Sequence, residues 1–362
     1  MHTSFPLKCS FYALLLTLIC SACFRATPVN PISTAPQWQR VSQFRAIDPI
    51  QNLIGTPFEV YVISESQFAR LNRTDTLIEA RPLTLGDGAI GRPILDDNFF
   101  VRYTLDGGKD VIEFHSTRSP GIKQRIVADD LKNPSDNKIE IDREARLNGA
   151  FNDEETQFVL LTIVNFKYTA FWFDIEPSMN YEEILSLTPS HRVDLADIEE
   201  GEDQLQVVRF IDGNYYVATK NGAYRLTPDG EAVRPPGIGD FGRWIVDFFK
   251  IDNRIIATGF NAFDQHTSPD NGATWVRLGE ESQLQEIEVA GDTVFSQQSL
   301  GFPWKMAREN LLQTDDIVYN GEVEADETSN NSFYGIGYSN GKFYINYEKD
   351  IFFIDNIARR EE

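Results

Sequence analysis

Ser268-Pro269-Asp270-Asn271-Gly272-Ala273-Thr274-Trp275 is the stretch on which the architecture turns. A carboxylate at the start of a tight turn can accept N–H bonds from the backbone that follows it. Gly272 supplies a backbone conformation that a Cβ would obstruct. Trp275 ends the stretch with a large apolar surface to bury beside the turn. The eight residues predict a β-hairpin whose turn is held by its own side chains. Ser268, Asp270, Gly272, Thr274 and Trp275 are the residues that carry this turn.

The surrounding chain repeats the theme of short β-rich runs broken by Gly, Asn, Asp and Pro. The clearest is Tyr215-Tyr216-Val217-Ala218-Thr219, then Asn221-Gly222, then Ala223-Tyr224-Arg225-Leu226. Asn-Gly between two apolar runs is a strong hairpin signal. Comparable hairpins are read near 58–70, 99–114, 158–174, 246–276, 286–297 and 333–354, which with 207–226 makes seven. A single short helix is predicted around 180–187. Phe158-Val159-Leu160-Leu161 is apolar at every position, which suits a sheet covered on both faces.

Two partial echoes of the opening stretch exist. Thr104-Leu105-Asp106-Gly107-Gly108 keeps the first Thr, the Asp and the Gly at 108 but lacks the closing Thr-Trp, and Thr227-Pro228-Asp229-Gly230 keeps only the front half. The starts at 227 and 268 lie 41 residues apart, and 104 lies three such periods before 227. A period near 40 residues is that of a propeller blade.

Residues 268–275 fit S-x-D-x-G-x-T-W without a departure, and so resemble the Asp-box, or bacterial neuraminidase repeat, of sialidases, sortilin-type receptors and photosystem II assembly-factor-like propellers. The resemblance implies an all-β β-propeller, with seven blades favoured and eight open; segment 118–148 is either a degraded blade or an insertion. A two-sheet sandwich carrying one such hairpin is the rival architecture. In that family the boxes are peripheral hairpins, away from the active face. The nearest string to the sialidase arginine signature is Phe44-Arg45-Ala46-Ile47, which lacks the proline, so no catalytic residue is carried over.

Ring closure sets a further expectation. The last blade candidate offers only three strands, at 333–338, 342–347 and 351–355, whereas a blade has four. The segment 38–47 is predicted to supply the missing outer strand.

Before it, Lys8 and the uncharged apolar run 11–19 form a signal-peptide pattern too short to span a bilayer, which takes roughly 20 residues. Ser21-Ala22-Cys23 resembles a bacterial lipobox, with Cys20 where that signal usually has Leu. The resemblance implies a signal peptide over 1–22 and a lipidated Cys23, and Phe24 after it implies outer-membrane sorting; ordinary cleavage near Ala22 is the alternative. Three prolines among small residues over 25–37 predict an extended tether. The remaining 38–362 are expected to form a single propeller domain.

The chain has 362 residues, 33 Lys+Arg and 55 Asp+Glu, giving a formal net charge of −22. Such a surface repels phosphate backbones and anionic membranes, which argues against a nucleic-acid partner and leaves the lipid anchor as the membrane contact. Doublets such as Glu154-Glu155 read as solvated surface. Cys9, Cys20 and Cys23 are the only cysteines, so the body has no disulfide framework or thiolate site. His115, His191 and His266 are far apart in sequence and no metal or cofactor is expected, while the acidic run 197–203 reads as a solvated loop. Together these features predict an envelope-tethered, non-enzymatic propeller, facing periplasm or cell surface, that binds a protein or glycan partner. The alternative is a divergent glycan-active enzyme, a hydrolase or lyase, on the same fold.

Overall fold

In the computed structural model the described residues are 39–83, 92–143, 145–199, 205–220, 222–238, 244–251, 253–259, 265–279, 286–290, 293–297, 304–307, 318–319 and 335–355, with backbone alone described at 196–199, 278–279, 286–319 and 355. Their strands pair into antiparallel sheets of four strands, five in one case, set as the blades of a β-propeller.

Blade I is built from Ile50–Gly55, Glu59–Ser64, Gln67–Asn72 and Leu77–Pro82. Blade II runs Ile94–Leu95, Phe99–Asp106, Lys109–Ser116 and Ile122–Val127. In blade III the short strands Ile139–Glu140 and Gly149–Phe151 both pair with Gln157–Val164, followed by Lys167–Pro177 and Ile184–Glu199. Blade IV comprises Leu205–Ile211, Asn214–Thr219, Gly222–Leu226 and Ala232–Val233; blade V comprises Ile245–Ile251, Arg254–Gly259, Gln265–Ser268 and Val276–Gly279. Blade VI joins Ile336–Ser339, Lys342–Tyr347 and Asp350–Asp355 to the N-terminal strand Gln39–Arg40.

The expectation of seven blades, with eight open, is corrected to six described blades about the axis: the central cavity is lined by segments of blades I to VI. The strands at 286–319 pair into a further sheet described in backbone only. Segment 118–148 is neither a degraded blade nor an insertion. It completes blade II with Ile122–Val127 and opens blade III with Ile139–Glu140, joined by a 3-10 turn at Ala128–Leu131. The helix expected at 180–187 is also absent: residues 178–183 form a turn in which the Ser178 hydroxyl accepts the Glu183 amide at 2.9 Å, and a strand begins at Ile184. Ser and Asn favour such side-chain-held turns over helix interiors.

Alternation explains why residues 158–161 are apolar throughout. Phe158 and Leu160 pack towards blade II with Phe99 and Phe114. Val159 and Leu161 pack towards blade IV with Leu205 and Val217. Each strand in the middle of a blade thus buries both of its faces, one in each seam.

At the closing seam Gln39 pairs with Phe353 and Arg40 with Phe352. The amides of Val41 and Ala46 continue the contact onto the carbonyls of Ile351 and Lys349, both at 2.9 Å. The segment does not bury one alternating face. The chain turns at 42–43, and Val41, Phe44 and Ala46 are the buried residues. Arg45, part of the string nearest a sialidase signature, faces Asp350 at 3.5 Å on the outer edge of this blade.

On the other side of blade VI, its innermost strand meets blade I backbone to backbone. A Cβ on Gly337 would lie 2.3 Å from the Gly55 nitrogen, and one on Gly55 would lie 2.3 Å from the Tyr338 carbonyl oxygen. Glycine is required on both sides of this seam because no side chain fits between the two strands.

The turn at 268–275 joins the third and fourth strands of blade V. Asp270 Oδ1 accepts the Thr274 amide at 2.8 Å and the Ser268 hydroxyl at 2.8 Å, and Oδ2 accepts the Thr274 hydroxyl at 2.6 Å. The Gly272 amide donates to Ser268 Oγ at 2.8 Å. Hydrogen bonds from Thr274, then Ser268, hold the Asp270 carboxyl down at about 2. Asp270→Ala is expected to cost about 1–3 kcal/mol by leaving turn donors unmatched, with the fold retained. Urea denaturation monitored by tryptophan fluorescence measures it.

The two echoes occupy different places. Thr227–Gly230 lies at the equivalent turn of blade IV, where Thr227 Oγ1 accepts the Glu231 amide at 3.0 Å. Thr104 and Asp106 lie instead before the turn between the second and third strands of blade II. There Gly107 and Gly108 both adopt positive φ, and Asp106 pairs with Arg125 at 2.5 Å.

Candidate functional site

Inner strands of blades I to VI, with the residues that follow Ile94–Leu95 and Gly149–Phe151, line the centre. Together they enclose a cavity of about 520 Å³, within the size range of ligand sites. Its wall is largely apolar, with Ile54, Leu95, Phe151, Phe210, Phe248 and Ile336 among the lining residues. Charged residues enter it from four blades: Asp96 of blade II, Asp153 of blade III, Arg209 of blade IV and Lys250 of blade V. Arg92, just before blade II, also lines it and donates through Nε to the Gln51 carbonyl at 3.1 Å.

The two cations from the blades are engaged. Arg209 binds both oxygens of buried Asp247 at 2.8 Å each, and Lys250 meets Asp212 at 2.6 Å. Asp96 and Asp153 have no ion pair among the described residues. Asp96 Oδ1 accepts the Asp97 amide at 2.8 Å. Burial, and then the nearby Glu155 carboxylate, push the Asp96 carboxyl up to about 7. Asp153 is also raised, by burial and then by Glu154 and Asp212.

Glu155 overturns the expectation that the Glu154-Glu155 doublet is solvated surface, since it is 3% exposed. Its φ of 53° turns the side chain back into the seam between blades II and III. There Oε1 accepts the amides of Asn98 at 2.8 Å and Phe99 at 3.3 Å, and Oε2 accepts Asn98 Nδ2 at 2.7 Å. The carboxylate therefore fixes the position of the 96–98 turn that carries Asp96. Glu155→Ala is expected to cost about 1–3 kcal/mol through the buried amides it orphans, read as a lower urea midpoint.

A pH signature follows from Asp96. Its folded-state pKa lies above the unfolded value of about 3.9, so the folded protein holds this proton more tightly. The contribution is complete below that unfolded value and is lost as pH rises from about 4 to about 7. Asp96→Asn is expected to gain on the parent protein over that interval by about 1–3 kcal/mol, with no further gain above it. Urea titrations at pH 4.5, 6 and 8 test the slope.

The other residues singled out in the sequence lie away from the cavity lining. His115 is buried in the seam of blades I and II, stacked on Phe100 at 4.7 Å. His191 meets Trp172 edge-on at 6.3 Å, and His266 is buried in the third strand of blade V. Residues 200–203 of the acidic run, the leader over 1–22 and Cys23 with its tether over 23–37 lie outside the described residues. Among the described residues, no group of three or more His, Cys, Asp or Glu is placed to hold a metal ion.

No protein-family model matches this chain, and no curated protein matches it. Its fold is similar to that of solved structures. Virginiamycin B lyase from Staphylococcus aureus, as a catalytically inactive variant with quinupristin, aligns at 10% identity and a TM-score of 0.55, covering 89% of this chain and 99% of that one. The Pan2 WD40 domain of Neurospora crassa aligns at 8% identity and 0.53, covering 90% and 98%. The computationally designed Ika8 protein aligns at 11% identity and 0.51, covering 88% and 99%. The structural neighbours are β-propellers, and at these identities the likeness establishes the fold alone.

Proposed function

We propose that this chain is a non-enzymatic binding propeller, tethered to the cell envelope through a lipid on Cys23, that holds a protein partner at its axial cavity. The observation that carries this reading is the cavity itself: an apolar-walled space of about 520 Å³ with charged groups delivered by four different blades. Its walls are backbone strands held on both sides by packed seams, so the site is pre-formed and little ordering is lost when a partner binds. WD40 propellers such as the neighbour above are a fold-level analogy for a protein-interaction role. The Cys23 anchor rests on the lipobox-like sequence that precedes it.

A photo-crosslinking residue placed at Phe210, inside the cavity, tests the binding half, with Ile47 on an exposed outer edge as the control position. A discrete adduct from envelope at 210 and none at 47 is expected. Adducts of equal yield at both positions, or turnover of aryl-glycosides that Asp96→Asn abolishes, would overturn the reading. Cys23→Ala is expected to release the protein from membranes and to end labelling by a fatty-acid analogue; labelling that persists in the variant refutes the anchor.

A further inference from the structure

We infer that the partner presents a lysine or arginine side chain to the axial cavity, where it is received by Asp96 and Asp153. This rests on the cavity being the binding site, and adds the chemistry of what enters it.

The cavity is mixed in composition, but its charges are not equally available. Arg209 is held bidentate by Asp247 and Lys250 is held by Asp212, so both blade-borne cations of the wall are already compensated from within their own surroundings. Asp96 and Asp153, from the adjacent blades II and III, line the same space and make no ion pair among the described residues, although the field of Lys250 reaches Asp153. They are close enough that each of Asp153, Asp97 and Glu155 raises the proton affinity of Asp96. Asp96 and Asp153 are therefore the carboxylates of the lining that no ion pair among the described residues neutralises, while Arg92, also in the lining, donates to the Gln51 carbonyl.

A partly buried carboxylate without an ion pair, as at Asp96, is costly, and Asp153 beside it in the lining is exposed. A cation that arrives with a partner recovers that cost in the bound state. An apolar wall with carboxylates set into it matches a lysine or arginine, whose aliphatic stem packs on hydrophobic surface while its head pairs with the anion. Phe210 and Phe248 in the same wall add aromatic surface for such a stem or head. The formal charge of −22 on the whole chain favours approach of a basic partner in the same sense.

The test uses acetylated tetralysine as the probe and the full chain, by calorimetric titration at pH 7.5. The double variant Asp96→Asn/Asp153→Asn is expected to bind it at least about tenfold more weakly, the size of losing a charge-assisted bond. A double variant with the same loss of charge on exposed positions, Glu182→Gln/Glu231→Gln, is expected to bind within about twofold of the parent, because exposed distant charges are screened. Equal weakening in both doubles would show general attraction to an acidic surface and overturn the inference, as would undiminished binding by the cavity double. Asp153→Asn alone gives the same comparison should the double variant fold poorly. If the envelope adduct at 210 persists in the cavity double, the cavity is still the binding site and the basic side chain is not what it recognises.

Discussion

Gly337→Ala is expected to give a chain that does not close. Its Cβ would stand 2.3 Å from the Gly55 nitrogen, with the Ile54 carbonyl carbon at 2.8 Å. Both obstacles are backbone, so no rotamer change relieves the overlap. The strand Ile336–Ser339 must then move away from blade I, and the seam loses its packing with Leu53. Overpacking usually costs about 1–3 kcal/mol, and a clash against fixed backbone lies above that range, at more than about 3 kcal/mol. The expected readouts are a lost or strongly lowered cooperative melting transition and rapid proteolysis. Gly341→Ala serves as the control, since a Cβ there meets nothing within 4 Å, although its φ of +80° adds a modest strain. A Gly337→Ala protein that melts like the parent would show that the two strands are further apart than described.

Trp275→Ala carries the next largest expected effect. The indole is 6% exposed and lies between Phe248 at 5.8 Å and Tyr216 at 6.4 Å. Its Nε1 donates to the Gly272 carbonyl at 3.2 Å, which ties the ring to the turn that precedes it. Tyr216 in turn donates its hydroxyl to the Asn271 carbonyl at 2.9 Å, so the same turn clasps blade IV. Removing the ring opens a cavity in this seam and is expected to cost about 3–5 kcal/mol. Chemical denaturation followed by circular dichroism measures it. A loss below 1 kcal/mol would mean that the ring is not buried between the blades.

Local features were legible in the sequence where the physics is local. The turn at 268–275 is fixed by side chains within eight residues, so the backbone amide that Asp270 accepts could be anticipated, though not the hydroxyl bonds of Ser268 and Thr274. The apolar run at 158–161 signalled a sheet covered on both faces, and each residue does enter one of two seams. The N-terminal strand could be placed because the last blade lacked a partner for Asp350–Asp355, although the face it buries could not, since the chain turns at 42–43. Blade count failed for a different reason. Seven hairpins were read, and six of them are blades I to VI; the seventh, at 286–297, belongs to the further sheet described in backbone only, and the echo at 104 sits at a different turn of its blade from those at 227 and 268. The cavity was illegible altogether. Asp96, Asp153, Arg209 and Lys250 are spread over four blades, and only ring closure brings them together. Glu155 was hidden for a related reason: its partners at 98 and 99 belong to a neighbouring blade.

The strand Gln39–Arg40 has a consequence for how the molecule is made. The Arg40 guanidinium reaches Asp350, a partner 310 residues further along the chain. Early blades can form hairpins as they leave the ribosome, but the first strand waits unpaired until the last one arrives. Contacts of such sequence separation slow folding, because a long loop must close before they contribute. Sealing of the ring is therefore a late event that follows synthesis of residue 355, and until then the exposed edge of Asp350–Asp355 is a site where a second molecule could pair in place of the protein's own N-terminus. Refolding from urea at rising protein concentration should accordingly divert a growing fraction into dimers that exchange this strand.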